Sequence, residues 1–160
     1  MDKSLLKLVL LISVFIGGLA GILTIVPYLG QVVFWILLCL AAVIVMTFLM
    51  RTKLLELFTV QESVTLGAII GFVSFMTFCV VYVPAVIILL KFFNFSSNYG
   101  VSLILSSANF WIMLVLSVFM AILSAVINAF SGFMTFYVKE FLKTLDKNEE
   151  KDTINLDKED

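Results

Sequence analysis

Three long stretches without charge limit what this chain can fold into more than any other feature of its sequence. No Asp, Glu, Lys, Arg or His occurs in residues 8–50, 66–90 or 109–138. Hydrophobic residues make up 62% of the chain and charged residues 13%, against about 45–50% and about 25% in soluble domains. Such stretches predict helices in a lipid bilayer, where each backbone polar group has to be bonded within the protein.

The first stretch is long enough for two membrane helices, because about 20 apolar residues cross roughly 30 Å of hydrocarbon. Val26-Pro27-Tyr28-Leu29-Gly30-Gln31 divides it, and its Pro and Gly favour a tight turn. We predict an all-α protein with four membrane-spanning helices in an antiparallel bundle. The spans lie at about residues 8–26, 32–50, 60–90 and 109–138, within a transmembrane domain of residues 1–138. Residues 139–160 form a charged tail, expected to be partly disordered with fraying after Leu145.

The third span has a defined start and one irregularity inside it. Thr59-Val60-Gln61-Glu62 matches a capping box, in which the Thr hydroxyl and the Glu carboxylate bond free amides of the first turn. Pro84 removes one backbone hydrogen bond, so we expect a kink or a break there. Residues 92–107 mix Asn, Ser and Gly with apolar residues and predict an interfacial loop.

The uneven distribution of Lys and Arg predicts the orientation. With four spans, nine of the ten basic residues lie on one side of the membrane, and Lys91 lies alone on the other. Because short basic flanks are retained on the cytoplasmic side, both termini are predicted to be cytoplasmic. We expect a multi-pass protein of a plasma membrane of the bacterial inner-membrane type. Arg51, Lys53, Lys139 and Lys143 then lie where they can contact anionic lipid headgroups.

Small residues at helical spacing predict where the helices touch. Lipid is as apolar as Leu, so membrane helices associate through close backbone approach and hydrogen bonds, which favour small residues. Two spans carry a G-x-x-x-G pattern, and counting about nine residues inward from each predicted cytoplasmic end reaches a small or polar residue on every span. This predicts a tightly packed layer in the cytoplasmic half. The residues predicted for helix packing are Gly17, Gly21, Ala42, Gly67, Gly71, Ser74, Ser124 and Asn128.

Asn128 lies on a seam of the fourth span that also contains Ser117, Ala121, Ser124 and Ser131. An amide in hydrocarbon without partners costs on the order of several kcal/mol, so it has to bond Ser74, Thr77, a backbone carbonyl or water. One hypothesis is a structural bond between helices. The alternative is the polar lining of a path, to which Ser117, Thr77 and Ser131 would also contribute.

The sequence gives no support for catalysis or ion coupling. Coupled transporters place a charged or titratable residue inside the membrane, and the four-helix small multidrug transporters depend on a membrane carboxylate that this chain lacks. No G-x-S-x-G, H-E-x-x-H or Walker pattern occurs. Cys39 and Cys79 have no metal-ligand spacing. We therefore predict no catalytic residue, no cofactor, no metal and no nucleic-acid partner.

Short motifs carry a resemblance to a known group. They are Gly17-Gly18, Pro27-Tyr28-Leu29-Gly30, the stretch 64–71 with its Gly-Ala-Ile-Ile-Gly, and Asn128-Ala129-Phe130-Ser131-Gly132. With these motifs, over about residues 8–138, the chain resembles small four-span prokaryotic integral membrane proteins of uncharacterised function. The resemblance implies the topology and no activity.

The function expected is that of a non-enzymatic integral membrane protein, acting as a packing, assembly or regulatory subunit. Its partners would be the lipid bilayer and either a second copy or another membrane protein, for which the small residues of Gly17–Gly21 or Gly67–Gly71 could face outward. A small channel or uncoupled permease, lined by Ser, Thr and Asn of the third and fourth helices, is the alternative. A lipid-related or envelope-stress protein that contacts headgroups is a third interpretation.

Overall fold

The computed structural model describes residues 3–26, 28–52, 59–93 and 109–156, with side-chain surroundings to residue 145. It contains α1 (Lys3–Leu23), α2 (Leu29–Arg51), α3 (Val60–Phe93) and α4 (Phe110–Leu156). Each helix has a segment long and apolar enough to cross a membrane. The prediction of an all-α fold with four candidate spans is therefore confirmed.

The helices differ from the predicted spans mainly at their ends. α3 continues through Pro84 without a break, since a membrane helix tolerates one missing bond where neighbouring groups satisfy the freed carbonyl. α4 continues to Leu156, whereas fraying was expected after Leu145. Its 47 residues extend about 70 Å at 1.5 Å per residue, well beyond the hydrocarbon. Pro27, Lys53 and most of the expected loop at 92–107 lie outside the described residues.

Local hydrogen bonds fix the start of α3 as predicted. The Thr59 amide donates to the Glu62 carboxylate at 3.3 Å, and the Glu62 amide donates to the Thr59 hydroxyl at 3.3 Å. These two bonds satisfy two of the amides that a helix leaves free at its N-terminus. The predicted capping box is confirmed.

The turn between α1 and α2 is tight because two residues adopt special positions. Tyr28 has a φ of 67°, which is uncommon for a residue with a side chain. Gly30 lies against the carbonyl oxygen of Thr24, where a Cβ would clash. Consecutive helices are thereby turned back on each other.

The four helices form a rhombus rather than a square. α2 and α3 contact each other, and each also packs against both α1 and α4. Among the described residues, extensive contact between α1 and α4 is absent. The parallel pairs α1–α3 and α2–α4 therefore touch directly, alongside the antiparallel pairs.

Glycines let the backbones of α1 and α3 meet. A Cβ on Gly17 would clash with the carbonyl group of Ser74, and one on Gly21 would lie 3.0 Å from the side chain of Val81. Gly17 instead presents a hydrogen toward the Ser74 oxygen, the geometry of a Cα–H···O contact, which recurs at close helix interfaces. The first G-x-x-x-G pattern thus faces α3, not the outside of the bundle.

The contact between α3 and α4 repeats this geometry along two helical turns. A Cβ on Gly67 would clash with the carbonyl of Asn128, one on Gly71 would lie 2.6 Å from the carbonyl oxygen of Ser124, and one on Gly132 would lie 2.6 Å from that of Ser63. The second G-x-x-x-G pattern also faces inward. Neither pattern supplies the outward surface that a partner-binding role was expected to use.

The other end of the bundle is packed with aromatic rings. Phe34 of α2 makes edge contacts with Phe75 and Phe78 of α3, at centroid distances of 5.9 and 6.1 Å. Tyr82 stacks on Phe78 at 5.1 Å. These rings pack α2 against α3 toward that end of the bundle.

Two adjacent glycines allow a matched test of this packing. Gly17→Ala places a methyl group on the Ser74 backbone, whereas the Cβ position of Gly18 has no atom within 4 Å. We expect Gly17→Ala to lower the free energy of unfolding in detergent by about 1–3 kcal/mol, and Gly18→Ala to leave it unchanged or slightly raised. Thermal unfolding followed by circular dichroism measures both. Equal melting temperatures for the two variants would contradict the contact.

Candidate functional site

The amide of Asn128 is inserted into the backbone hydrogen bonding of α2. Its nitrogen donates to the carbonyl oxygen of Leu38 at 2.8 Å, and its oxygen accepts from the backbone amide of Ala42 at 2.8 Å. In a regular α-helix these two backbone groups bond each other. The side chain therefore engages both ends of one backbone bond, as a peptide group would. We call Asn128, the Leu38 carbonyl and the Ala42 amide the amide clamp.

Further hydrogen bonds extend the amide clamp to α3. The Asn128 nitrogen also donates to the carbonyl oxygen of Ser124 at 3.0 Å, and the Ser124 hydroxyl donates to the carbonyl of Gly71 at 3.1 Å. The Ser131 hydroxyl donates to the carbonyl of Cys39 at 2.7 Å. α4 is thus joined by side-chain bonds to α2 on one side and to α3 on the other.

Ser74 and Thr77 do not bond Asn128, although the sequence allowed for both. The Ser74 hydroxyl donates to Ile70 at 2.6 Å and the Thr77 hydroxyl to Val73 at 2.9 Å, each within α3. Hydroxyls in helices commonly bond the carbonyl four residues back. Asn128 has backbone groups of α2 in reach, so it bonds these instead.

All eight residues predicted for helix packing are buried in the bundle. Gly17 meets Ser74, Gly71 meets Asn128, and Asn128 bonds Ala42. Gly17, Ala42, Ser74 and Asn128 were predicted to lie at one depth. These contacts connect them in a single layer. Ser124 and Gly67 lie in the adjoining turns, and Gly21 lies one turn from Gly17.

Two members of this interface were not predicted from the sequence. The Ser63 hydroxyl donates to the carbonyl of Gly132 at 2.6 Å, and Gly132 packs closely against Ser63. A signal was present, because Ser63 precedes Gly67 and Gly71 at the same spacing of four. Extending the small-residue pattern by one turn would have found it.

The three residues proposed as additional polar lining do not meet in one place. Ser131 bonds α2, whereas Thr77 bonds its own helix. Ser117 and Ser131 are also about 21 Å apart along α4 at 1.5 Å per residue.

Two grooves lie on the outside of the bundle. One, of about 580 Å³, runs between α1 and α2 and is lined only by apolar residues such as Phe15 and Phe48. The other, of about 730 Å³, runs between α2 and α4 and is lined mostly by apolar residues, together with Thr47, Ser131 and Thr135 and with Lys139 and Lys143. Lys139 is half-buried and Lys143 exposed, as is Arg51 at the end of α2. Of the basic residues predicted to contact headgroups, only Lys53 lies outside the described residues.

The buried polar groups of the described segments are chemically satisfied. No buried side-chain nitrogen or oxygen there lacks a hydrogen-bond partner. The same segments hold no group of three His, Cys, Asp or Glu side chains placed to bind a metal. Several of these hydrogen bonds join one helix to another.

Comparison of the chain with protein-family models, with curated proteins and with solved structures gives no match. The resemblance to small four-span prokaryotic membrane proteins therefore stays a prediction. Function has to be inferred from the geometry of the helices.

Replacing Asn128 tests the amide clamp. In Asn128→Leu, the Leu38 carbonyl and the Ala42 amide have each other as partners within α2, so the variant loses interhelical bonds without leaving orphaned groups. At about 0.6–1.7 kcal/mol per interhelical bond, we expect its free energy of unfolding in detergent to fall by about 1–3 kcal/mol. Thr77→Val, which removes a bond within one helix, serves as the control and should change stability by less than about 0.5 kcal/mol.

Reversible unfolding in mixed detergent micelles gives both values. An Asn128→Leu variant as stable as the unmodified protein would show that the amide clamp contributes nothing to holding α2 against α4.

Proposed function

We propose that the protein is a non-enzymatic membrane subunit, with a packing, assembly or regulatory role performed through its lipid-facing surface. One observation carries the proposal: the polar side chains buried among the described helices are all engaged in hydrogen bonds. Ser63, Ser124, Asn128 and Ser131 bond backbone groups of neighbouring helices. Groups committed in this way are not available to bind a passing solute or ion.

The outer surface is where a partner would bind. Large apolar side chains face outward on every helix, including Phe15, Phe48, Val80 and Phe119, which are 54–67% exposed. Lipid covers such surfaces by default, so exposure alone names no partner. A second copy of the chain or another membrane protein would displace lipid from one of these faces.

The orientation proposed has both termini on the cytoplasmic side of a plasma membrane of the bacterial type. Nine basic residues on one side against Lys91 on the other support it. Under this orientation Arg51, Lys139 and Lys143 adjoin the cytoplasmic headgroups. The resemblance to prokaryotic four-span proteins supports the choice of membrane.

The channel or permease has less support. A path through one chain would need polar groups that face a common opening, whereas Thr77 and Ser131 bond separate partners and Ser117 lies about 21 Å from Ser131 along α4. Opening a path beside Asn128 would require breaking the amide clamp, and each interhelical bond is worth about 0.6–1.7 kcal/mol.

Crosslinking in native membranes tests the subunit role. A photo-crosslinking amino acid is placed in turn at Phe15 and Phe48, which share the face between α1 and α2, at Val80 of α3 and at Phe119 of α4. We expect one face to give a protein adduct of defined mass and the others to give lipid adducts only. Lipid adducts at every position would contradict a stable partner on the faces sampled.

Flux measurements distinguish the alternative. Purified protein in liposomes should leave the permeability to K⁺ and to glycerol at the level of protein-free liposomes. Flux above that level, with a further change in the Asn128→Leu variant, would overturn the subunit proposal and favour the channel.

A further inference from the structure

We propose that the groove between α2 and α4 is a binding site for an anionic phospholipid, with an acyl chain along the groove and the phosphate against Lys139 and Lys143. The inference goes beyond the proposed function, because a lipid site of this kind is compatible with a subunit or a channel. It depends on three properties of the groove: its length, its lining and the position of its charges.

The length of the groove matches one leaflet. On α2 the lining runs from Leu40 to Met50, which is about 15 Å at 1.5 Å per residue. That equals half of the roughly 30 Å of hydrocarbon. On α4 the lining from Phe130 reaches Lys139 after about 14 Å, so the first ammonium group lies where an acyl chain would meet its headgroup.

The charges of the lining are all of one sign and all at one end. Lys139 and Lys143 are the two charged residues among those that line the groove, which contains no Asp or Glu. Spaced four apart on α4, they lie on the same helix face, about 5–6 Å apart at their Cβ atoms. Two positive charges on one helix face attract a phosphate at the end of the groove. Arg51, at the end of α2, adds a third positive charge on the same side.

The groove between α1 and α2 does not share the charged lining of the groove between α2 and α4. It has a comparable volume, about 580 Å³ against about 730 Å³, but an entirely apolar lining. An acyl chain fits either groove, whereas of the two only the groove between α2 and α4 has lysines in its lining. It therefore selects for headgroup charge, and the other groove is an internal control.

Two matched Phe→Trp variants report on the two grooves. Phe130 lines the groove between α2 and α4, and Phe15 lines the groove between α1 and α2. Phe130 is nine residues from Lys139 and Phe15 eight from Lys7, so both rings lie at similar depth. Each variant is made with Trp35 and Trp111 replaced by Phe, and the protein is placed in bilayers of phosphatidylcholine and phosphatidylglycerol whose acyl chains carry bromine, a quencher of Trp fluorescence.

We expect Phe130→Trp to be quenched by brominated phosphatidylglycerol with roughly tenfold preference over brominated phosphatidylcholine, the order that two lysines near an anionic headgroup supply. Phe15→Trp should show no preference. Adding Lys143→Gln should reduce the preference to about threefold, and Lys139→Gln with Lys143→Gln should abolish it. Because Lys139 also takes part in other interactions of the chain, the exposed Lys143 gives the cleaner single variant. Circular dichroism checks that each variant remains folded.

Three results would overturn the proposal. Equal quenching of Phe130→Trp by both lipids would mean that the groove holds lipid without selecting charge. A preference retained in the double lysine variant would place the selectivity elsewhere. Quenching of Phe15→Trp but not of Phe130→Trp by either lipid would mean that protein, from this chain or a second copy, fills the groove.

Discussion

A helix in a bilayer gains little by moving its apolar side chains from lipid onto a neighbouring helix, so contacts between these helices depend on backbone approach and hydrogen bonds. That constraint explains why small or polar residues make the closest contacts between helix backbones. Gly17, Gly67 and Gly71 lie on carbonyl groups of adjacent helices, and Ser124 and Asn128 bond backbone atoms across the interfaces. A soluble bundle would fill the same layer with Leu and Ile.

The amide clamp provides hydrogen bonds to α2, a helix that has no G-x-x-x-G pattern. α2 offers Ala41 and Ala42 at the layer, which lets α4 approach but supplies no side-chain donor. Asn128 instead bonds the backbone of α2. Any helix with small side chains at this position offers the same backbone partners. A buried amide with four partners also opposes sliding, because a shift of one residue would misplace both the Leu38 carbonyl and the Ala42 amide.

Composition and charge-free length predicted the four helices, and the positions selected by helical spacing and depth are buried in the bundle. The capping box could be predicted from Thr59 and Glu62 alone. The partners of Asn128 could not be predicted. Every residue has a backbone carbonyl, so the sequence does not indicate which one the side chain bonds. The inward direction of both G-x-x-x-G patterns could not be predicted either, because small residues favour close contact with any helix and do not say whether it belongs to the same chain.

Topology and charge together explain why the groove between α2 and α4 has positive charge at one end. In a chain that crosses the membrane repeatedly, alternate helices run parallel, and the rhombus brings the parallel pair α2 and α4 into contact. Under the proposed orientation their basic ends, at Arg51 and at Lys139 and Lys143, lie on the same side and repel each other. The amide clamp joins the two helices about nine residues deeper, where no charge opposes contact. A groove with a positive end therefore results from the same charge asymmetry that would orient the chain.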